Sequence, residues 1–334
     1  MMKNIKQLRL QLPTSLMQTM PGSDSESSPN TSPYHVNQQT SRRMNFKLSS
    51  SSGANLDLEE LRKMRSARHQ ARTKRGAMQI AIKLIYKYQA RSISELYDKS
   101  TADEYASLIY TGENFNNCVL FAIDLYVKDM LEIQRRDRWE YLLSCAKYNY
   151  EEESEIVRLF EVQNIDPVQF ALDLKALLQC EHPKKNALKI YGVPDSGKSL
   201  LCQLISQCFI TCYANNHGSE NEFFLSNFLN KSLILCEELY VTQATCEDFK
   251  SILAGAPIDI SKKFQEKQTL SRTPLLITSN YNYFGRGHLN NVDESALRGR
   301  CYEYHFTQTF TPTCMITAPS MYHFLWLCLN QDML

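Results

Sequence analysis

The chain has 334 residues, room for about two domains and a tail, and its 37 basic and 36 acidic side chains leave a formal net charge of +1. That balance excludes a protein that is basic throughout, so any grip on nucleic acid must come from local patches. No apolar run approaches the roughly 18 residues that a membrane span needs, the amino terminus lacks the apolar stretch of a secretory signal, and the 11 cysteines include no C-x-x-C pair or zinc-ligand spacing, which points to reduced thiols inside a cell.

Residues 1–56 are read as a tail. After Met20 it is poor in large apolar residues and rich in Ser, Pro, Asn and Gln, a composition that predicts disorder. Asp57 to Arg75 predicts a basic helix, either a nuclear-import or nucleic-acid-contacting patch or a plain solvated face. Residues 57–160 are read as a helical region that oligomerises or touches DNA. Ile80, Leu84, Ile85 and Tyr88 share one helical face, and Leu120, Ile123, Val127, Met130 and Leu131 make another. A further helix starts with Asp166 as N-cap, Pro167 at the first position and Gln169 completing a capping box. Its apolar face is Phe170, Leu174, Leu177 and Leu178, and it ends near Cys180.

The stretch Leu188 to Leu201 reads as strand, loop, helix. Gly192, Val193, Pro194, Asp195, Ser196, Gly197, Lys198 and Ser199 have the spacing G-x-x-x-x-G-K-[ST]. Glycine lets the backbone aim several N–H groups at one centre, and the following helix adds the positive end of its dipole, so the loop suits a polyphosphate. Lys198 then reaches the β- and γ-phosphates, and Ser199 offers a hydroxyl to Mg²⁺. Leu200, Leu201, Leu204, Ile205 and Phe209 predict a helix over 198–212, with Cys208 and Cys212 on it.

Leu233 to Cys236 is an apolar run suited to a buried parallel strand, and it ends in Glu237 and Glu238. Open α/β sheets bind ligands at that edge. One of the two acids would hold Mg²⁺, with Glu237 assigned to the metal beside Ser199, and the other would take a proton from the attacking water. Asp248 to Gly255 reads as a short helix. Ile258, Ile260 and Leu270 then outline a hairpin carrying Lys262, Lys263, Phe264 and Lys267 near its tip, where charge suits phosphate and a ring suits a base. Leu275 to Thr278 is another buried run, closed by Ser279 and Asn280, and an Asn there can orient water and sense the γ-phosphate. Arg298 and Arg300 precede the alternating strand Cys301 to Phe306, in reach of a neighbouring subunit's site.

The order of these parts resembles that of superfamily 3 helicases, the compact viral branch of the AAA+ ATPases. Within that branch it is most similar to the Rep-type helicase domain of parvovirus and densovirus non-structural protein 1, with the papillomavirus E1 helicase a more distant match. The residues that carry the resemblance are Asn186 to Ser199, Cys236 to Glu238, Leu253 to Lys263 and Thr273 to Asn280. It implies an α/β fold, with a parallel-sheet P-loop ATPase core over 161–310, helices on both faces, a small helical domain and a disordered tail before it, and a carboxyl-terminal tail or helix over 311–334. It further implies ATP and Mg²⁺ as cofactors, single-stranded DNA as partner, a homo-oligomeric ring with six subunits expected, no membrane, and work in the host nucleus. Lys198, Glu237, Glu238, Asn280 and Arg300 become the catalytic set, Arg300 taking the finger's place because it directly precedes the strand. The family's nicking domain carries a His-x-His metal site, and no His-x-His occurs here, so no origin-nicking endonuclease is expected. Two readings stand beside the helicase: a nucleotide-binding interaction or transcription-regulatory protein without unwinding, and a genome-packaging ATPase.

Overall fold

The computed structural model describes residues 76–110, 114–215, 224–262 and 265–330. The expected tail over 1–56, the basic helix over 57–75, and Lys263 and Phe264 lie outside the described residues.

Four helices come first: α1 (residues 76–88), α2 (Ile93–Lys99), α3 (Ala102–Ile109) and α4 (Phe115–Arg136). The Ser92 hydroxyl caps α2, and Thr101 with Glu104 makes a full capping box on α3, which fixes where both start. They close a small core around Leu84, Ile85, Leu96, Leu108, Val119, Ala122 and Tyr126. On α4 the expected stripe holds at Ile123, Val127, Met130 and Leu131, which are buried or packed against a core, but not at Leu120. Leu120 is 49 % exposed, whereas Val119, Ala122, Ile123 and Tyr126 are buried. Leu120, Phe121 and Leu125 are as apolar as the buried set, so period alone allowed either face, and the packing of α1 to α3 chose.

Asp137 ends α4 and caps α5 (Arg138–Ser144), its carboxylate accepting from the backbone N–H of Trp139 and Glu140 at 3.0 Å each. α6 (Tyr150–Val162) and α7 (Pro167–Leu178) follow. Asp166 caps α7 through the Val168 N–H at 3.0 Å, but the capping box does not form. The Gln169 amide instead donates to Asp173 at 3.0 Å, one helical turn on. Phe170, Leu174, Leu177 and Leu178 are fully buried.

Five parallel strands, β1 (Ala187–Gly192), β2 (Thr211–Asn215), β3 (Leu233–Glu237), β6 (Leu275–Ser279) and β7 (Cys301–Phe306), form the sheet in the order β2-β3-β6-β1-β7. β6 is central, and β1 lies between β6 and β7, with Ile190 facing Thr278 on one side and Tyr304 on the other. Alternate residues feed two cores. Leu188, Ile190, Leu233, Leu235, Leu276 and Phe306 pack toward α5 to α7, α8 (Lys198–Ser206) and α11 (Ala318–Leu329). Ala187, Ile234, Cys236, Leu275 and Ile277 pack toward α9 (Cys246–Ala254) and α10 (Asn291–Arg298). Burial on both faces is why β3 and β6 read as apolar runs. A separate antiparallel hairpin pairs β4 (Ile258–Lys262) with β5 (Gln265–Leu270). Its base is tied to β1 by Asn186, whose amide donates to the carbonyls of Ile252 at 3.0 Å and Thr273 at 2.9 Å.

Two expectations are corrected. The helix after the loop stops at Ser206, and Thr211 to Asn215, including Cys212, forms β2. The Ser232 N–H bonds the Ile210 carbonyl at 2.8 Å, and parallel pairing with β3 follows from that point. A boundary at 160 also does not describe the packing. Trp139, Leu142, Ile156 and Phe160 share one core with the sheet, and so do Tyr322, Phe324 and Leu325 of α11, so neither α5 and α6 nor residues 318–329 stand apart from it.

Candidate nucleotide-binding site

β1, β3 and β6 all run the same way, so the loop after Gly192, the pair Glu237 and Glu238, and Asn280 finish on one edge of the sheet. Gly192 adopts φ 141°, and a Cβ there would lie 1.8 Å from the Phe306 carbonyl oxygen, so the close approach of β1 to β7 admits only glycine. Gly197 turns at φ 90° to become the N-cap of α8. Between them the loop is held from outside. The Gln163 amide is buried and donates to the Ser196 carbonyl at 3.1 Å and the Gln308 carbonyl at 2.6 Å, while its oxygen accepts from the Thr307 N–H at 2.9 Å. The Phe310 N–H bonds the Asp195 carbonyl at 2.8 Å.

Lys198 is 6 % exposed, and its Nζ donates to the carbonyls of Val193 at 2.5 Å and Gly192 at 3.2 Å and to Ser196 Oγ at 3.2 Å. Burial lowers its pKa from the usual lysine value, while the negative charges of Glu238 and Asp195 act the other way. Ser199 is exposed on the first turn of α8. One turn further along, Gln203 donates to Glu237 Oε1 at 3.3 Å, which places that carboxylate against the loop's helix. Glu238 adopts φ 51°, its N–H bonds the Thr278 carbonyl at 2.8 Å, and its Oε1 accepts from the Asn280 N–H at 3.1 Å. Asn280 also shares a cleft of about 570 Å³ with Gly192, Val193, Pro194 and His305. Lys198, Ser199, Glu237, Glu238 and Asn280 are thus drawn together from three segments.

Arg300 is not drawn in. It precedes Cys301, which pairs with Ala187 at the start of β1, so it lies at the opposite edge of the sheet from the loop. Its guanidinium donates to the Ala296 carbonyl, and its buried Nε has no partner among the described residues. Arg298 is committed to Glu303 through two nitrogens, at 2.7 and 2.9 Å. Of the hairpin set, Lys262 closes β4 opposite Gln265 and Lys267 is exposed on β5, so both stand near the tip.

Three contributors were not read from the sequence. Gln163 braces the loop from α6. Arg286 donates to the Glu238 carbonyl at 3.3 Å, lies 3.7 Å from its Oε2, and sits over the rings of Tyr281 and Tyr240 at 4.4 and 5.1 Å. Lys189 is 1 % exposed in β1, and its Nζ holds the Asn282 carbonyl just beyond Asn280. Only its position in an otherwise apolar strand marked Lys189 as unusual.

The edge therefore offers a cation, a helix N-terminus, a hydroxyl and two carboxylates, a donor set suited to a polyphosphate and a hard divalent cation. Comparison with known proteins adds to this. The profile of the family described as "Parvovirus non-structural protein NS1" matches residues 132–333. Initiator protein NS1 of human parvovirus B19 (isolate AU) is 28 % identical over 192 residues, 56 % of this chain and 28 % of that one. Replication protein E1 of cottontail rabbit papillomavirus (strain Kansas) is 27 % identical over 200 residues, 55 % of this chain and 33 % of that one. The matched part thus spans about a third or less of these relatives' length. A solved JCV helicase structure aligns with TM-score 0.50 at 14 % identity, covering 69 % of this chain and 77 % of that one, a likeness of fold alone.

Proposed function

The chain belongs to the parvovirus non-structural protein NS1 family, and we propose that it is an ATP-dependent DNA helicase of viral genome replication. The observation that carries this reading is the meeting of Glu238, Asn280 and the Lys198 loop at one edge of the sheet. A nucleoside triphosphate seated on the loop would draw the Lys198 ammonium from the loop carbonyls to its phosphates. The α8 N-terminus and loop amides would neutralise the same charge. Ser199 and Glu237 fit a Mg²⁺ ion as hard oxygen donors, and the ion when bound supplies further neutralisation of the phosphates. Glu238 would take the proton of the attacking water, with Asn280 orienting that water.

Arg300, at the far edge, cannot serve its own chain's loop and would complete the site of a neighbouring subunit, which requires a homo-oligomer with head-to-tail contacts, a six-membered ring in this proposal. Lys262 and Lys267 would grip single-stranded DNA from the hairpin. The name of the B19 relative, an initiator protein, and of the papillomavirus relatives, replication proteins, supports replication as the setting, and the host nucleus as its place is part of the same proposal. Among the described residues no helix is long and apolar enough to cross a membrane.

The purified chain should hydrolyse ATP faster with single-stranded DNA and displace an annealed strand, and Lys198→Ala should abolish both. Turnover that survives this substitution would overturn the proposal. ATP binding without strand displacement would favour the interaction-protein reading instead.

A further inference from the structure

Away from the nucleotide site, a cavity of about 590 Å³ opens between the end of α5, the end of α8 and the start of α11. Two cysteines share its wall: Cys145, the C-cap of α5, and Cys208, just past α8. The two side chains interact along this shared wall, both packing on the core beneath it, and Ser144 Oγ lies 3.9 Å from the Cys145 sulfur. The backbone around Cys208 is fixed on both sides. Its carbonyl accepts from the buried Gln134 amide at 3.1 Å, and its N–H donates at 3.1 Å to the Tyr322 hydroxyl, which itself donates to the Leu204 carbonyl at 3.0 Å.

The two sulfurs are unequal. The neighbouring Cys208 thiol brings the Cys145 pKa down despite burial, which favours the Cys145 thiolate. Burial pushes Cys208 up, so it stays a thiol. Burial likewise raises Cys202, Cys212, Cys236, Cys246, Cys301 and Cys314, which makes them poor nucleophiles. Cys145 is thus a partly exposed nucleophile on a cavity wall that a second free cysteine shares.

We propose that Cys145 and Cys208 are a reactive thiol pair that a hydroperoxide converts to a reversible disulfide. The Cys145 thiolate attacks one peroxide oxygen: an S–O bond forms, the O–O bond breaks, and hydroxide leaves, giving a sulfenic acid. Cys208 then attacks that sulfur: the S–S bond forms, the S–O bond breaks, and the Cys208 proton leaves with the oxygen as water. Two thiols are oxidised by two electrons and one peroxide is reduced to two waters. The product would tether the end of α8, the helix that Lys198 begins, to the end of α5. The chemistry does not depend on the nucleotide reading.

The test treats the full chain with stoichiometric hydrogen peroxide, blocks free thiols with iodoacetamide and maps peptides without reduction. The expected result is a Cys145–Cys208 linkage with loss of two hydrogens, reversed by dithiothreitol. In Cys208→Ser the sulfenic acid at Cys145 should persist and be captured by dimedone, whereas Cys145→Ser should give neither linkage nor capture at Cys208. The proposal is overturned if other cysteines oxidise first, or if the pair stays reduced in excess peroxide while circular dichroism shows a folded chain. It is also overturned if dimedone labels Cys208 and not Cys145.

Discussion

At the scale of single residues, the informative feature is how Glu238 is held. Its backbone lies in the left-handed region, its carboxylate accepts from the Asn280 N–H, and the Arg286 guanidinium reaches both its carbonyl and its carboxylate. A general base, the role proposed for Glu238, works only if its oxygen stays aimed at the water, so the two residues that fix the aim should matter too. Glu238→Gln is expected to lower ATP turnover by about 10²- to 10⁴-fold with nucleotide affinity retained. Arg286→Ala should give a smaller loss of the same kind, in kcat rather than KM, because it removes positioning and not the proton acceptor. Steady-state kinetics on both variants checks this, and an Arg286→Ala enzyme altered only in KM would count against the positioning role.

At the scale of elements, α7 shows how the helical layer and the sheet depend on each other. Leu174 is fully buried in the same core as Leu188, Ile190 and Phe324, so Leu174→Ala leaves a cavity the sheet cannot close. The expected loss is about 2–5 kcal/mol, readable as a drop in the urea midpoint. A second joint is charged. The Arg158 guanidinium bonds Glu155, at 2.6 Å for the closest nitrogen, and with the Thr313 N–H at 3.0 Å it brings the Glu155 pKa down to about 2. The folded carboxyl is thus more acidic than an unfolded one, near 4.3. Its contribution is complete above that value and fades as the pH falls toward 2. The difference in urea midpoint between wild type and Glu155→Gln should therefore hold from pH 7 to about pH 5 and shrink on further acidification. A constant difference down to pH 3 would contradict the assignment.

At the scale of the whole molecule, the sheet separates two functions by its polarity. The loop and the acids stand at the carboxyl ends of the strands, and Arg300 stands at the amino end of β7. No motion of side chains within one chain joins them, so the proposed site needs a second copy. Lys198→Ala and Arg300→Ala should each be inactive alone. Mixed, they should regain part of the turnover, since some contacts then pair an intact lysine with a neighbour's intact arginine. No recovery on mixing, measured alongside size in the presence of ATP and single-stranded DNA, would show that Arg300 does not act between subunits. The long helix α4 adds a mechanical link between the helical cluster and the sheet. Near its end, Gln134 and Arg135 hold the carbonyls of Cys208 and Lys231, and the next helix adds Arg138 on the Ser232 carbonyl at 2.8 Å. These carbonyls precede β2 and β3, and β3 carries the acids at its other end.

The sequence by itself determined the loop, the buried strands and the edge on which they end. Gly192 and Gly197 are required by backbone geometry that other residues resist, and a strand buried on both faces is mostly apolar, so both signals are local. The hairpin was legible for the same reason, from Ile258, Ile260 and Leu270 alternating about a basic turn. Only the tertiary structure decided that Leu120 is left off the buried face of α4 and that Thr211 to Asn215 leaves the helix to become a strand. It alone brought Gln163, Lys189 and Arg286 to the site, and Cys145 to Cys208. Each of these rests on a partner distant in the chain, and a polar side chain carries no mark of the partner it will meet until the backbone has folded around both.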